Sequence, residues 1–134
     1  MRNQLDFPEL VMDNGSGLSR AGRISARHLG ELLAYAWRSP LMPEYAASLP
    51  IPGVDGTLRR RLSESSAAGR AHIKTGYLEG VRAIAGYVSD GRGRVLVVVS
   101  LINDAHAVNA QSFQDAVIDW AYGQVMQSGR CCAQ

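Results

Sequence analysis

Lysine is almost absent from this chain of 134 residues: Lys74 is the only one, and the other thirteen cationic side chains are arginines. Cysteine is nearly as scarce. The two that occur, Cys131 and Cys132, are neighbours in the final stretch "SGRCCAQ". Adjacent residues cannot tie two parts of a fold together, so a disulfide framework is excluded and a cysteine metal set is not expected. Nowhere does an apolar run approach the roughly 20 residues of a bilayer-spanning helix; the aliphatic run Val95 to Val99 has the length of a strand. The opening "MRNQLDFPEL" has no apolar segment of the kind that marks an export signal, so neither leader nor membrane span is expected from these residues. A net charge of +2 is too small to argue for a nucleic-acid partner. The one basic cluster, Arg59 to Arg61, reads as a solvated helix face rather than a phosphate site.

What remains has a globular composition, with 46% hydrophobic and 19% charged residues and no repeated or polar tract. The length suits a single unit with one core, with residues 127–134 expected as a disordered tail. The stretch "MDNGSGLSRAG" is dense in Gly, Ser and Asn and predicts an irregular loop. A helix is expected over about 25–38. Ser25 is placed to cap it, Ile24 and Leu29 to staple it, and Leu29, Leu32, Leu33, Ala36 and Trp37 recur at helical spacing before Pro40 ends it. Prolines at 40, 43, 50 and 52 break up the chain beyond this helix, leaving room for brief helices at 44–48 and 57–64.

From Ala71 the pattern turns to strands, at about 72–78, 82–89 and 94–102, joined by turns at Glu79-Gly80 and Asp90-Gly91. The third, "RVLVVVSLI", is apolar at consecutive positions and wants cover on both faces. A final helix over about 107–126 would supply one cover through Ala110, Phe113, Val117, Trp120, Ala121 and Gln124, with Asp115 and Asp119 pointing elsewhere. The class is α+β: helices, a three-stranded antiparallel meander, then a closing helix.

The lone lysine stands in "KTG" on the first strand, and Lys-Thr-Gly is one of three motifs that mark serine β-lactamases and penicillin-binding proteins. Three letters alone are weak. Together with "DNGSGLSR" at Asp13 to Arg20, "GVDGTLRRRL" from Gly53 and "AIAGYV" on the second strand, the motif resembles the C-terminal part of class C low-molecular-mass penicillin-binding proteins. These are serine-type D-alanyl-D-alanine carboxypeptidases and endopeptidases that trim peptidoglycan. The resemblance covers about Leu10 to Val125. It implies part of a transpeptidase-like domain whose five-stranded sheet has helices on both faces, with two strands contributed from upstream.

It also implies roles. A peptide ending in a free carboxylate calls for a fixed positive field and a hydroxyl donor, which Lys74 and Thr75 would supply as the catalytic pair. An ammonium can also pass protons among hydroxyls, which a permanently charged guanidinium cannot. Gly76 would keep the strand edge clear for substrate backbone, and the backbone N–H of Tyr77 would donate to an oxyanion. Arg20 has two readings, a contact for the end of a stem-peptide side chain or a loop residue bonded to carbonyls. Ser16 is likewise either a substrate contact or a hydroxyl that satisfies its own turn. His28 reads as an exposed first-turn residue, His72 as a strand residue, and His106 as a neighbour of a helix start.

The chain contains neither Ser-x-x-Lys nor Ser-x-Asn, the other two motifs of these enzymes. Nothing in the spacing supports a substitute nucleophile from Ser16 or Ser19 with His28 or His72. The expectation is a segment of a longer periplasmic enzyme that acts on stem peptides and β-lactams without a cofactor or metal, inactive alone. Its partners would be the missing N-terminal part of the same domain or, through the edge of strand 94–102, a second copy. The alternatives are a non-catalytic peptide-binding module and an inactive remnant of a truncated gene.

Overall fold

The computed structural model describes residues 5–127. Its centre is an antiparallel meander of β1 (Ala71–Leu78), β2 (Val81–Ser89) and β3 (Val95–Asn103), in the order β1-β2-β3. Gly80, at φ 73°, closes the first turn. The second is built around Asp90, whose carboxylate accepts from the backbone N–H groups of Arg92 and Arg94 at 2.8 and 3.1 Å and from the Arg94 side chain. Burial would raise the pKa of Asp90, but the hydrogen bonds from Arg92 and Arg94 outweigh it and hold the carboxyl below its ordinary value.

Strand alternation sends side chains to two faces. One carries Ala71, Ile73, Ile84, Val88 and Val98 against Leu58, Ala67, Ile118 and Ala121; the other carries Ala85, Tyr87, Val95, Val97 and Val99 against Leu33, Trp37 and Leu49. The consecutive valines of β3 are thus divided between two cores. At Gly86 the first two strands run so close that a Cβ would lie 2.0 Å from the His72 carbonyl oxygen.

The helices cover these faces. α1 (Ala26–Trp37) lies over the second face and is capped as expected, the Ser25 hydroxyl accepting from the His28 backbone N–H. The Tyr87 hydroxyl donates to the Leu33 carbonyl at 2.8 Å, fixing α1 to β2; burial, with nearby Tyr45, pushes this phenol up to about 12. α2 (Met42–Ala47) comes next, then a 3-10 turn at Gly56–Leu58. A second 3-10 turn at Ala107–Ala110 leads into α3 (Gln111–Gln127), which packs on the first face. Among the described residues no helix is long and apolar enough to cross a membrane. The expected tail begins at Gln127, which instead ends α3; its other residues, Cys131 and Cys132 included, lie outside the described ones.

Four local expectations are corrected. No helix spans 57–64: Leu62 sits at φ 58°, a left-handed conformation that a helix cannot contain. The arginine cluster is consequently not a uniform helix face. Arg59 and Arg60 are exposed, while Arg61 donates through Nε and Nη2 to Asp115 Oδ1 at 3.0 and 2.7 Å. In α3 the buried stripe is Gln114, Ile118, Ala121 and Val125, whereas Phe113 and Trp120 are 58% and 64% exposed. The expected helix from 107 is a 3-10 turn at Ala107–Ala110 followed by α3, and Asp115 and Asp119 point at the 61–65 loop. Finally, His28 is half-buried, its Nδ1 2.6 Å from Glu9 Oε1 and its ring beside Phe7. Hydrogen bonds from the Ser25 side chain and backbone, with His28 a smaller contributor, hold the Glu9 carboxyl down at about 2.

Candidate functional site

The outer edge of β1 is the place where the sequence motif, the backbone and two loops meet. In an antiparallel pair, alternate residues turn their N–H and C=O groups toward the partner strand. Ser89 N donates to Arg70 O at 2.8 Å across the β1–β2 pair, whereas Ile73 N donates outward to Pro50 O at 2.8 Å. Arg70, Lys74 and Gly76 therefore pair toward β2, and Ile73, Thr75 and Tyr77 turn their backbone groups outward. Pro50 closes this edge at Ile73. From Thr75 to Tyr77 no backbone group among the described residues pairs with it.

Lys74 is exposed, and its Nζ donates to the outward carbonyl of Thr75 at 2.7 Å, which holds the ammonium at the same edge. The Thr75 hydroxyl lies 2.9 Å from that of Thr57. Gly76 faces Ala83, where a Cβ would meet the Ala83 Cβ at 3.2 Å. Tyr77 is 62% exposed, with the Arg82 guanidinium 3.8 Å from its ring centroid.

Two loops frame this strand. The glycine-rich one is clamped at its base by a pair of 3.0 Å backbone bonds between Val11 and Arg23. At its far end Arg20 Nη1 donates to the Glu79 carbonyl at 3.1 Å, anchoring the loop beside the β1–β2 turn. That is the carbonyl-bonding geometry of the two readings of Arg20. Ser16 lies within the same loop, its hydroxyl 2.5 Å from Asn14 Oδ1 and accepting from Leu18 N at 3.3 Å, so these bonds serve its own turn. The structure thus brings together Lys74, Thr75, Gly76 and Tyr77, sets Arg20 at the end of their strand, and gives Ser16 bonds within its loop.

The other frame is the segment from Pro50 to Leu58. Asp55 Oδ1 accepts from Ile51 N at 2.6 Å, Gly53 N donates to Leu58 O at 3.1 Å, and Leu58 is fully buried. Sequence reasoning noted "GVDGTLRRRL" as part of a resemblance but gave Thr57 and Pro50 no role.

A three-stranded antiparallel sheet, helices on both faces and Lys-Thr-Gly on an edge strand together form part of a penicillin-binding-protein-type domain. The profile of the Peptidase_S13 family, D-Ala-D-Ala carboxypeptidase 3 (S13), matches residues 2–124. The D-alanyl-D-alanine carboxypeptidase of Actinomadura sp. (strain R39) is 36% identical over 119 residues, 84% of this chain and 22% of that protein. The carboxypeptidase DacB of Mycolicibacterium smegmatis is 38% identical over 107 residues, 75% of this chain and 23% of that protein. Among solved structures, penicillin binding protein 4 (dacB) from Haemophilus influenzae superposes with a TM-score of 0.68 at 30% identity, over 76% of this chain and 23% of that one. The chain belongs to the D-Ala-D-Ala carboxypeptidase 3 (S13) family. It spans less than a quarter of the length of each of these relatives.

Proposed function

We propose that this chain forms the Lys-Thr-Gly wall of a serine acyl-transfer site for peptidoglycan stem peptides ending in D-alanine, and for the β-lactams that imitate them. One observation carries the reading: an ammonium, a hydroxyl and an outward N–H, from Lys74, Thr75 and Tyr77, lie along the outer edge of one short strand. Lys74 supplies the positive field for a terminal carboxylate, Thr75 a hydrogen bond to it, and Tyr77 N–H a donor where negative charge develops on the scissile carbonyl. Gly76 leaves the backbone accessible, so the substrate adds to the sheet as a strand.

The nucleophile comes from elsewhere, because the chain contains no Ser-x-x-Lys. The chain is the C-terminal portion of one domain, completed by upstream residues of a parent enzyme that works in the periplasm. In their absence β3 offers an open edge: by the same alternation, Val95, Val97, Val99 and Leu101 turn their backbone groups away from β2, and the chain self-associates there.

Fluorescent penicillin decides the catalytic part. The 134-residue chain remains unlabelled by mass spectrometry, whereas a complete family enzyme carrying residues 5–127 of this chain is acylated, and Lys74→Met in that enzyme slows acylation at least a hundredfold. A stoichiometric adduct on the isolated chain, or an unaffected Lys74→Met variant, refutes the assignment. Peptide binding that persists without acylation in the complete enzyme would identify a docking module instead.

A further inference from the structure

We infer that Thr57 is a positioning residue that directs the Thr75 hydroxyl toward a terminal carboxylate, an inference that rests on the reading of β1 as the substrate wall. The two hydroxyl oxygens lie 2.9 Å apart although the residues are 18 apart in sequence. Each hydroxyl has one proton to give and two lone pairs to accept with. A carboxylate only accepts, so Thr75 must donate to it and cannot also donate to Thr57. Thr57 is then the donor, and its proton sits on a lone pair of the Thr75 oxygen. This leaves the Thr75 proton aimed outward and polarises the O–H that carries it, since hydrogen bonds in a chain strengthen one another.

The position of Thr57 is fixed for this task rather than for packing. Its side chain is exposed, so its methyl group contributes little to the core. Its backbone, in contrast, is pinned on both sides. Gly56 adopts φ 57° with no room for a side chain, a Cβ there meeting Pro50 Cβ at 2.9 Å, and Leu58 is fully buried. The same segment occupies the Ile73 N–H through Pro50. One turn therefore both ends the open edge and orients the first hydroxyl beyond the stop. The consequence is selectivity: a ligand ending in a carboxylate gains from the Thr57–Thr75 pair, whereas the same ligand ending in an amide, with an N–H donor of its own, does not need it.

The test is a titration of the isotope-labelled 134-residue chain with N-acetyl-D-alanyl-D-alanine and with its C-terminal amide, read from amide shifts at Thr75 and Tyr77 and from Thr75 side-chain couplings. Wild type and Thr57→Ser bind the acid in preference to the amide and hold one Thr75 rotamer. Thr57→Val loses about fivefold of that preference, the scale of one hydrogen bond in a charge-assisted chain, and its Thr75 rotamer averages. If the valine disturbs amides beyond residues 50–58, Thr57→Ala is read in the same way. An undiminished acid preference with a fixed Thr75 rotamer in these variants overturns the inference alone. No ligand shift at Thr75 or Tyr77 in the wild type overturns the substrate-wall reading, and this inference with it.

Discussion

Replacing Gly86 by alanine tests how closely β1 and β2 approach beside the motif. An alanine Cβ would stand 2.0 Å from the His72 carbonyl oxygen and 3.0 Å from both the His72 carbonyl carbon and the Ile73 Cα. Carbon and carbonyl oxygen ordinarily approach to about 3.3 Å, so β1 must retreat by more than an ångström. Backbone hydrogen bonds do not survive that extension, and the residues concerned, His72 and Ile73, adjoin Lys74. Two or three ladder bonds at about 1 kcal/mol each, together with displacement of fully buried Ile73, give an expected cost of about 3 kcal/mol. The backbone adds to it, because φ at Gly86 is 157°, outside the range that L side chains readily adopt. Urea unfolding followed by circular dichroism measures the loss, and hydrogen exchange locates it in β1. Gly76→Ala is the control: its Cβ meets only Ala83 Cβ at 3.2 Å, so it costs less than about 1 kcal/mol. A Gly86→Ala variant within about 0.5 kcal/mol of wild type, the spread of ordinary surface changes, would refute the reasoning.

The half-buried Arg61–Asp115 pair, donating at 2.7 Å between the 61–65 loop and α3, should show a coupling of about 1 kcal/mol in a double-mutant cycle of Arg61→Ala and Asp115→Ala; strict additivity counts against it. The Glu9 carboxyl falls from 4.5 to about 2 on folding, so its contribution to stability is complete above pH 4.5 and disappears as the pH drops through about 2. The difference between wild type and Glu9→Gln in urea midpoint should therefore shrink across that interval, and a constant difference would refute the assignment; Asp90, shifted the same way, cancels in the comparison. Light scattering should report a mass that rises with concentration, and Val97→Pro, which removes an outward N–H from the edge of β3, should return the chain to a monomer without unfolding it. A wild-type monomer with β3 amides protected from exchange would rule out edge pairing.

The strands were legible because their signals are local. Glu79-Gly80 and Asp90-Gly91 stand between runs of β-forming residues, and each predicted strand lies within a residue or two of the observed one. Ser25 was readable for the same reason, since a cap needs only its own helix. What escaped depends on partners distant in sequence. Arg61 reads as one of three solvated arginines until Asp115 is placed opposite, and His28 reads as exposed until Glu9 and Phe7 fold back on it. The stripe of α3 was misplaced because an apolar side chain is normally good evidence of burial, and here Gln114 is inside while Phe113 and Trp120 are outside. In the candidate site, Lys74 to Tyr77 are singled out by a motif and the rarity of lysine. Thr57 carries no such mark, because a threonine in a turn is ordinary until its hydroxyl is seen against another.

The two edges of the sheet are treated differently, and the difference bears on what each receives. At β1 the chain closes part of the edge itself, through Pro50, and supplies polar side chains beside the part that no described residue pairs with; on the proposed reading that part receives a short, polar, exchangeable guest. At β3 no segment among the described residues pairs with the edge, and apolar surface continues past it on both faces. Leu96 is 37% and Trp120 64% exposed beside Val125 on one side, and on the other Val97 and Val99 line a groove with Gly30 and Ala34 of α1. Such an edge suits a permanent strand whose own side chains extend both cores. If the upstream residues of a longer polypeptide provide that strand, they also hold β1 rigid from behind, through β2. Covering β3 should then slow hydrogen exchange at Thr75 and Tyr77, on the far side of the sheet, as well as at Val97 and Val99. Protection confined to β3 would mean that the two edges are mechanically independent, and that the open edge has no bearing on the site.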